Sequence, residues 1–542
     1  MNAGRAAVAK PFGGSNTLYF GDNLDVLRCH VPDESVDLVY LDPPFNSNAT
    51  YNVLFRGPTG EHSRAQIEAF EDTWHWNQAA NIAFDEVMES GNTDAAEMLR
   101  AMRSFLKEND MMAYLCMMAV RLLELHRVLK PTGSIYLHCD PTTSHYLKLL
   151  LDAVFSVQTF TNEIIWRRTT PKGLAFSRYA SNHDTILFYR KGAKATWSSQ
   201  HIEYSNEYLE RYNLIDERGR RFQATSLLNP NPNRPNLTYE FGGHKKVWRW
   251  TRDRMLRAEK EGRIYFPPGG GVPREKRFLE EQEGVPVSSV WTDIAAVNAV
   301  AQERLGYPTQ KPVALLERII AASSNEADLV LDPFCGCGTT VHAAQKLNRR
   351  WVGIDITHLA IGLVRRRLID AFPHAHFDIV GVPKDVGGAR ALAAADKHQF
   401  QLWALSLVEA QPYRGGRKGG DGGVDGHLYF KPDGRSTEKA IVSVKGGQHL
   451  NPGMVRDLLG TVENERAKMG IFVTLEDPTV RMRQAASAAG LYKTEYGAFE
   501  KVQILTVEEL LSGKKPHMPW IDPSVFRKAR REKSETQGEM GF

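Results

Sequence analysis

Between residues 328 and 355 a strand, a glycine-rich loop, a helix and another strand follow one another. The loop lies within Val330-Leu-Asp-Pro-Phe-Cys-Gly-Cys-Gly-Thr-Thr340. Strands that alternate with helices are typical of a parallel sheet covered by helices. We therefore predict an α/β fold class for this part of the chain. The apolar spacing predicts these elements: a strand over 328–331, a helix over 339–347, a strand over 351–354 and a helix over 358–371.

The glycine loop has the composition of a ligand-binding turn. Glycines allow a ligand to approach the backbone, and a helix N-terminus attracts negative charge. Val341 occupies the place of the third glycine of the dinucleotide fingerprint, which disfavours an NAD enzyme. Asp355 ends the next strand, where a carboxylate can accept both ribose hydroxyls of a nucleoside cofactor. The alternative is a tight strand–helix turn with Asp355 as a helix cap.

A second motif, Asp42-Pro43-Pro44-Phe45, follows the apolar run Val36–Leu41. Two successive prolines end a strand, because they cannot continue its hydrogen-bond ladder. The Asp42 carboxylate and the Pro43 carbonyl can accept both hydrogens of an amino group and direct its lone pair at an incoming methyl group. Phe45 can stack on a base that has left the duplex. The alternative is a proline-terminated strand with Phe45 in the core.

Charge is distributed unevenly along the 542 residues, although the net charge is only +4. Residues 1–160 contain 12 Lys and Arg against 20 Asp and Glu, whereas residues 161–280 contain 23 against 13. The basic segment is also rich in aromatic residues. Basic charge neutralises phosphates and flat side chains stack on bases, so this segment indicates nucleic-acid binding. The alternative is a solvated basic surface over an aromatic core.

The remaining elements of the first 400 residues are predicted from apolar periodicity. A long apolar helix stands out, and Pro131-Thr-Gly133 should stop it. Residues 192–300 show weaker periodicity and should form an inserted, loop-rich region. The other predictions are strands over 18–22, 36–41, 133–138, 162–166 and 185–189, and helices over 23–29, 111–129, 145–155 and 312–322.

The two motifs together resemble those of the amino-group DNA methyltransferases, which use S-adenosylmethionine. Gly306-Tyr-Pro-Thr-Gln-Lys-Pro312 is similar to the cofactor-side motif of the same family. The order of the catalytic motif, the basic region and the cofactor motifs resembles the β-class permutation. The match covers about residues 15–370. The resemblance implies a Rossmann-like, S-adenosylmethionine-dependent methyltransferase with an inserted target-recognition region that reads double-stranded DNA.

The resemblance also assigns residues to the site. Asp42, Pro43, Pro44 and Phe45 would be catalytic, and Asp22 would lie near the adenine of the cofactor. Cys337 is a departure, since many relatives have serine there, but a small side chain is kept. The expected cofactor-binding residues are Asp22, Thr309, Lys311, Asp332, Phe334, Cys335, Gly336, Gly338, Thr339 and Asp355.

The resemblance implies that the target atom is an amino nitrogen rather than a ring carbon. Methylation of cytosine carbon 5 needs a nucleophilic cysteine, usually after proline, and the chain has no Pro-Cys pair. We therefore expect direct in-line transfer that depends on position and electrostatics. Asp-Pro-Pro-aromatic is commoner in adenine enzymes, so we predict a site-specific adenine-N6 DNA methyltransferase in restriction–modification or defence. Cytosine N4 remains the alternative target.

The C-terminal part resembles the Mrr branch of restriction-endonuclease-like folds. Asp425 opens one strand and Lys445 ends the next, as in that branch, and a carboxylate pair there would hold Mg²⁺. Ser443 stands at the second ligand position and is a poor Mg²⁺ ligand, while Gln401 stands where a helix often carries Glu. Glu409, Asp421 and Glu463 are possible substitutes. The alternatives are a bifunctional enzyme that also cleaves DNA, with Mg²⁺ at Asp425, and a degraded nuclease fold that only binds DNA.

Hydropathy and the number of cysteines indicate the compartment in which we expect the protein. No apolar run approaches the ~18 residues that span a bilayer, and the first thirty residues do not resemble a secretory signal. Five cysteines in 542 residues cannot form a disulfide framework, so we expect a cytoplasmic protein, and a homodimer is possible. The predicted domains are 1–191 (catalytic part), 192–300 (target recognition), 301–382 (cofactor part), 383–398 (linker), 399–515 (restriction-endonuclease-like) and 516–542 (basic tail).

Overall fold

The computed structural model of the protein places two units in the chain. Residues 199–288 form one compact unit, and the rest of the chain forms the other. No helix in the described part is long and apolar enough to cross a membrane. The described residues are 14–44, 50–56, 62–71, 75–170, 179–298, 301, 303–305, 307, 309–413, 423–433, 436–495 and 497–519.

The chain before residue 199 supplies seven strands and five helices of the larger unit. Asparagine and aspartate side chains cap several of the helices, because their oxygens accept the first backbone N–H groups. In order, the elements are β1 (Thr17–Phe20), α1 (Asn23–His30), β2 (Val36–Leu41), β3 (Thr50–Arg56), β4 (His62–Glu71), α2 (Gln78–Glu89), α3 (Thr93–Leu106), α4 (Asp110–Val128), β5 (Leu129–Cys139), α5 (Ser144–Phe155), β6 (Phe160–Arg167) and β7 (His183–Arg190).

Unit 199–288 consists of short antiparallel strands and two helices around a small apolar core. The core includes Phe241, Trp248 and Met255. The elements are β8 (His201–Ile202), α6 (Asn206–Leu209), β9 (Leu214–Ile215), β10 (Arg221–Ser226), β11 (Thr238–Phe241), β12 (His244–Val247), α7 (Arg252–Lys260), β13 (Ile264–Tyr265), β14 (Arg274–Phe278) and β15 (Val285–Pro286).

The larger unit continues after residue 288 and includes the C-terminal domain, residues 386–519. Its elements are β16 (Val290–Trp291), α8 (Val313–Ser323), β17 (Leu329–Asp332), α9 (Thr339–Lys346), β18 (Arg350–Asp355), α10 (His358–Ala371), β19 (Asp378–Val380), α11 (Val386–Ala395), α12 (Lys397–Leu407), β20 (Gln411–Pro412), β21 (Gly426–Phe430), β22 (Glu438–Lys445), α13 (Pro452–Asn464), β23 (Met469–Thr474), α14 (Val480–Ala488), β24 (Leu491–Thr494), β25 (Gly497–Glu500), β26 (Val502–Thr506) and α15 (Val507–Leu511).

A nine-stranded sheet forms the centre of the larger unit, in the order β16-β6-β7-β5-β2-β17-β18-β1-β19. Every neighbouring pair is parallel except the two that involve β7. Strand β2 is fully buried between β5 and β17. Helix α4 packs its buried residues in the largest apolar cluster. The predicted α/β class is confirmed, and β2 and β17 become direct neighbours.

Two segments differ from the sequence predictions. Strand β5 begins at Leu129 and runs through Pro131, instead of starting at Gly133, and its register with β2 shifts between Val36 and Leu38. The segment 383–398, predicted as a linker, instead contains α11, and Ala389 and Ala393 on that helix belong to the core of the C-terminal domain. Small side chains let this helix pack closely. The composition alone had predicted a linker here.

The boundaries of the predicted target-recognition region and of the predicted basic tail also differ from those in the structure. The compact unit is shorter than the predicted region 192–300, because the ring of Trp197 stacks on Phe188 at 5.8 Å and β16 pairs with β6 in the central sheet. At the end of the chain, the backbone N–H of His517 donates to Gln503 at 2.8 Å. The rest of the predicted basic tail, residues 520–542, lies outside the described residues.

The C-terminal domain has its own five-stranded sheet, in the order β20-β21-β22-β23-β26. Strands β22, β23 and β26 are parallel, and β20, β21 and β22 are antiparallel neighbours. One apolar cluster covers each face of this sheet. Helix α12 contacts α10 of the methyltransferase-like part, so the two sheets of the larger unit meet through this pair of helices.

Candidate active site

The two sequence motifs meet at the carboxyl edge of the central sheet. Val330 and Leu331 of β17 lie opposite Leu38 and Val39 of β2 in parallel register, so the segments that follow both strands emerge side by side. A cavity of about 290 Å³ lies at this edge. All expected site residues that the structure describes line it, except Gly338: Asp22, Asp42, Pro43, Pro44, Thr309, Lys311, Asp332, Phe334, Cys335, Gly336, Thr339 and Asp355. Phe45 lies outside the described residues.

Asp42 is held by one charged partner. The Lys311 ammonium lies 2.5 Å from Oδ2, and the side chains of Asp42 and Lys311 are only 18% and 8% exposed. The other oxygen, Oδ1, is buried and has no hydrogen-bond partner in the described part of the chain. A buried acceptor without a partner is costly, so a ligand that donates a hydrogen bond is favoured there. An amino group meets this requirement.

The segment that presents Lys311 is fixed by the residues before it. The Gln310 amide accepts from Leu305 N at 2.8 Å and donates to the Glu303 carbonyl at 2.6 Å. Glu303 in turn accepts from the backbone N–H of Val313 at 3.0 Å, at the start of α8. Lys311 therefore approaches Asp42 from a segment that its own side chains hold in place.

The glycine loop turns sharply and needs its glycines. Gly336 and Gly338 have φ values of +48° and +74°, a region that other residues rarely adopt. A Cβ on Gly338 would come within 2.8 Å of the Val364 side chain on α10. Gly338 therefore shapes the turn from behind rather than lining the cavity. The backbone N–H of Cys335 donates to Ile354 at 3.0 Å and ties the loop to the end of β18.

Asp355 joins the loop to the next helix. One of its oxygens accepts from Gly336 N, and the other accepts from the N–H and hydroxyl of Thr357, each at 2.9 Å. Burial raises the pKa of Asp355 to about 6, although these hydrogen bonds favour the ionised form. The N-cap of α10 is Thr357 and not Asp355. The Asp355 carboxylate instead closes the strand–helix turn and lines the cavity.

Asp332 is a second buried acid on the same wall. Burial, together with the nearby carboxylates of Asp42 and Asp355, raises its pKa to about 7. Its Oδ1 accepts from Phe334 N at 3.0 Å. Asp332 thus shares one cavity with Asp42 and Asp355, and an electropositive ligand would relieve the mutual repulsion of these carboxylates.

Asp22 depends on an arginine that the motifs do not reveal. Arg121 on α4 donates to both oxygens of Asp22 at 3.0 and 3.1 Å and to Asn23 at 2.5 Å. Asn23 donates to the Pro333 carbonyl at 2.8 Å, which links this cluster to the glycine loop. Arg121 lies in the middle of an apolar helix pattern, and a single basic residue there was the available signal.

A row of buried polar side chains, joined by hydrogen bonds, lies beside the cavity. The Tyr40 hydroxyl lies 2.9 Å from Nδ1 of His138, and Nε2 of His138 lies 3.1 Å from Asp184. These residues come from β2, β5 and β7, which are adjacent strands. Burial lowers the pKa of His138, so the ring is neutral at physiological pH. An ionised Asp184 only accepts, so Nε2 donates and the Tyr40 hydroxyl donates to Nδ1.

The two cysteines of the loop are buried thiols. Burial raises the pKa of both Cys335 and Cys337, so neither is a thiolate at neutral pH. Within the described residues there is no group of three or more His, Cys, Asp and Glu side chains that could hold a metal ion.

The nuclease-like residues of the C-terminal domain also come together. The Ser443 hydroxyl lies 3.3 Å from Oδ2 of Asp425, and the Lys445 ammonium lies 3.9 Å from the same oxygen. Val444 N donates to Oδ2 at 2.6 Å, and the Gln401 amide donates to Oδ1. One carboxylate with four donors around it is a poor match to Mg²⁺, which needs several oxygen ligands.

The unit 199–288 has an exposed basic helix. Arg252, Arg254 and Arg257 on α7 are exposed, and so is Arg249 just before the helix. The Arg254 guanidinium lies over the Trp250 ring at 4.3 Å, so one of these cations is oriented by an aromatic face. This arrangement is suited to phosphate contacts.

Comparisons with known proteins match two parts of the chain. A family described as DNA methylase matches residues 36–364, and a family described as restriction endonuclease matches residues 392–511. Type II methyltransferase M.EcaI of Enterobacter cloacae is 28% identical over 358 residues, which cover 65% of this chain and 69% of that protein.

Two further relatives extend the comparison. DNA adenine methyltransferase YhdJ of Escherichia coli K12 is 26% identical over 371 residues, covering 68% of this chain and 88% of that protein. The Mod subunit of the type III restriction-modification enzyme StyLTI of Salmonella typhimurium is 25% identical over 352 residues. The match covers 61% of this chain and half of that subunit. Because the methylase match spans more than half of the sequence, the protein belongs to the DNA methylase family and carries a restriction-endonuclease-type domain behind its methylase part.

Proposed function

We propose that the protein transfers a methyl group from S-adenosylmethionine to N6 of adenine in double-stranded DNA. The observation that carries the proposal is the buried Oδ1 of Asp42, an acceptor with no hydrogen-bond partner among the described residues, at the edge of a cavity lined by the glycine loop. An exocyclic amino group has the two hydrogens that Asp42 and the Pro43 carbonyl can accept.

The residues around Asp42 favour transfer to nitrogen without a covalent enzyme intermediate. Two acceptors that hold the amine hydrogens out of the ring plane withdraw the nitrogen lone pair from conjugation with the ring, so the nitrogen becomes a better nucleophile. Lys311 pairs with Oδ2 of Asp42, so Oδ1 is left as the acceptor for the amine. Catalysis then depends on placement and preorganised charge.

The cofactor site is assigned to the wall formed by the glycine loop, Asp355 and Asp22. S-adenosylmethionine would supply an electrophilic methyl group on a positively charged sulfur. Asp355 would accept the ribose hydroxyls, and the surrounding carboxylates, including Asp332, would favour the positive charge of the sulfonium and the amino group. The Asp22–Arg121 pair would position the loop edge near the adenine.

Adenine is favoured over cytosine on two grounds. The tetrapeptide begins with Asp rather than Ser, and one relative, YhdJ, is named a DNA adenine methyltransferase. The relative StyLTI Mod is named as a subunit of a restriction-modification enzyme, which supports a role of this kind for the chain. Exposed arginines of the unit 199–288 would contact the DNA phosphates.

The test is methyl transfer from labelled S-adenosylmethionine to unmethylated DNA, followed by digestion to nucleosides and mass spectrometry. We expect N6-methyladenine from the wild-type protein and none from Asp42→Ala. Asp94→Asn, which changes an exposed aspartate of α3, is the matched control. N4-methylcytosine as the product would overturn the adenine assignment, and full activity of Asp42→Ala would overturn the catalytic one.

A further inference from the structure

We infer that the restriction-endonuclease-type site of the C-terminal domain is not a Mg²⁺ site, and that Asp425 instead fastens helix α12 to the end of strand β22. The inference concerns the second domain and does not depend on the methyl transfer. It rests on what occupies the Asp425 carboxylate and on the charge of its neighbours.

Both oxygens of Asp425 already accept hydrogen bonds from the protein. Oδ2 accepts from Val444 N at 2.6 Å and from the Ser443 hydroxyl at 3.3 Å, and Oδ1 accepts from the Gln401 amide. The backbone N–H of Val444 cannot turn away without breaking the strand. A cation at Oδ2 would therefore compete with a donor that the sheet fixes in place.

The charge of the cluster does not favour a divalent cation. Asp425 supplies one negative charge, and the Lys445 ammonium lies 3.9 Å from it. Gln401 and Ser443 occupy the positions where a nuclease of this type would carry acids, and both are neutral. The local charge is thus near zero, whereas Mg²⁺ sites combine carboxylates with waters or substrate phosphates.

The acids that could have replaced the missing ligands are engaged elsewhere. Glu409 pairs with Lys515 at 3.3 Å, and Glu463 pairs with Lys501 at 3.2 Å. Asp421 lies outside the described residues, so its role as a ligand is tested with the variant Asp421→Asn. Within the described chain, Asp425 belongs to no group of three or more His, Cys, Asp and Glu side chains that could hold a metal ion.

The same bonds explain what the carboxylate does instead. Gln401 lies on α12, whose residues Phe400 and Trp403 are buried in the core, and Val444 lies on β22. Asp425 accepts from both elements and so joins helix to sheet. Two residues before Gln401 on the same helix, the Gln399 side chain accepts from His358 N at 3.4 Å at the start of α10. We call these hydrogen bonds of Asp425 the clasp. The clasp holds α12, the helix that contacts the methyltransferase-like part.

The first experiment is DNA cleavage by the full-length protein. Unmethylated plasmid is incubated with Mg²⁺, and separately with Mn²⁺, and strand breaks are counted against Lys445→Ala and Asp421→Asn. We expect no breaks above the buffer blank with any of the three proteins. Mg²⁺-dependent cleavage by the wild type that Lys445→Ala or Asp421→Asn abolishes would overturn the inference.

A second experiment tests whether the absence of acids at positions 401 and 443 explains why the site does not bind Mg²⁺. In Gln401→Glu/Ser443→Asp, three carboxylates would surround one point. We expect its melting temperature to rise by several degrees when Mg²⁺ is added, because the ion stabilises only the folded state. The wild type should show no such rise. A Mg²⁺-dependent rise in the wild type that Asp425→Asn removes would contradict the inference.

A third experiment compares two variants of Asp425 to distinguish its role in the clasp from a role as a metal ligand. In Asp425→Asn, the amide oxygen still accepts from Val444 and the Gln401 amide can rotate to accept in return, so we expect the melting temperature to stay within about a degree or two. Asp425→Ala should lower it by several degrees, since buried donors lose their acceptor. Equal melting temperatures for Asp425→Ala and wild type would refute the clasp.

Discussion

Lys311 and Asp42 form an ion pair across the cavity, with 2.5 Å between the ammonium and Oδ2, although they lie 269 positions apart in the sequence. The pair joins the segment before α8 to the end of β2. It leaves Oδ1 of Asp42 buried and without a hydrogen-bond partner among the described residues. The lysine therefore has both a structural and an electrostatic part in the site.

Removing the lysine should destabilise the protein. In Lys311→Met the Asp42 carboxylate would stay largely buried without its counter-charge, which costs about 3 kcal/mol. Urea unfolding measures the loss. The double variant Asp42→Asn/Lys311→Met should recover about 2 kcal/mol of it, because the unpaired charge is also removed. Additive losses in the double variant would show that the two residues are not coupled.

Cofactor affinity should depend on pH through Asp355 and Asp332. Burial raises their pKa values to about 6 and about 7, so both acids are substantially protonated at pH 5. If the ionised form of Asp355 accepts the ribose hydroxyls, affinity for S-adenosylmethionine should fall about tenfold per pH unit below 6. Titration calorimetry from pH 5 to 8 measures this. In Asp355→Asn the fall should become shallower, and an unchanged slope would exclude Asp355 as its origin.

The same two acids should affect the unliganded protein in the opposite direction. Their pKa values are above the unfolded value of 3.8, so the folded protein binds more protons than the unfolded chain between about pH 4 and 7. Their contribution to the free energy of unfolding is present below pH 4 and is lost as pH rises through 6 and 7. Unfolding of Asp332→Asn should lack part of this dependence.

Arg121 should be required for cofactor binding. It donates to both oxygens of Asp22 and to Asn23, which bonds the backbone of the glycine loop. Arg121→Met removes hydrogen bonds to a charged group, so we expect affinity for S-adenosylmethionine to fall at least tenfold, equivalent to about 1.4 kcal/mol. Arg100→Met on the neighbouring helix α3, where the side chain is exposed, serves as control. Equal affinities would remove Arg121 from the site.

The exposed arginines of α7 should contribute to the salt dependence of DNA binding. Each phosphate contact adds about one unit to the slope of log K against log salt concentration. Arg252→Ala and Arg257→Ala should each reduce the slope by about 1 and weaken binding to all sequences. Arg263→Ala is a suitable control, because its guanidinium is already paired with Glu281 at 2.8 Å. Unchanged slopes would move the DNA surface elsewhere.

The elements that the sequence predicts well are those with strong local signals. The helix over 358–371 and the strand over 36–41 have the predicted bounds, because apolar spacing and end residues agree there. The convergence of Asp42, Asp332 and Asp355 also follows from local information. Each ends a buried strand, and the carboxyl ends of parallel strands share one edge.

The residues that were missed depend on contacts between distant segments. Arg121 meets Asp22 from 99 positions away, and Tyr40 meets His138 from 98. Neither pair has a spacing that a helix or strand period would reveal. Strand β5 was predicted to start at Gly133, yet a register shift opposite Val36 accommodates Pro131 inside the strand. Such a shift is a property of the pair of strands and not of either alone.

The adjacency of β2 and β17 has a consequence for how the protein is made. Asp42 leaves the ribosome about 300 residues before Asp332, the last residue of β17, and β17 lies directly beside β2 in the finished sheet. At bacterial and eukaryotic synthesis rates, roughly 15 to 60 s pass between the two events. During that time β2 has one neighbour from its own half, β5, and an open side. The enzyme therefore completes its site only when most of the chain has been translated, which delays methyl transfer until the nuclease-type domain is about to follow.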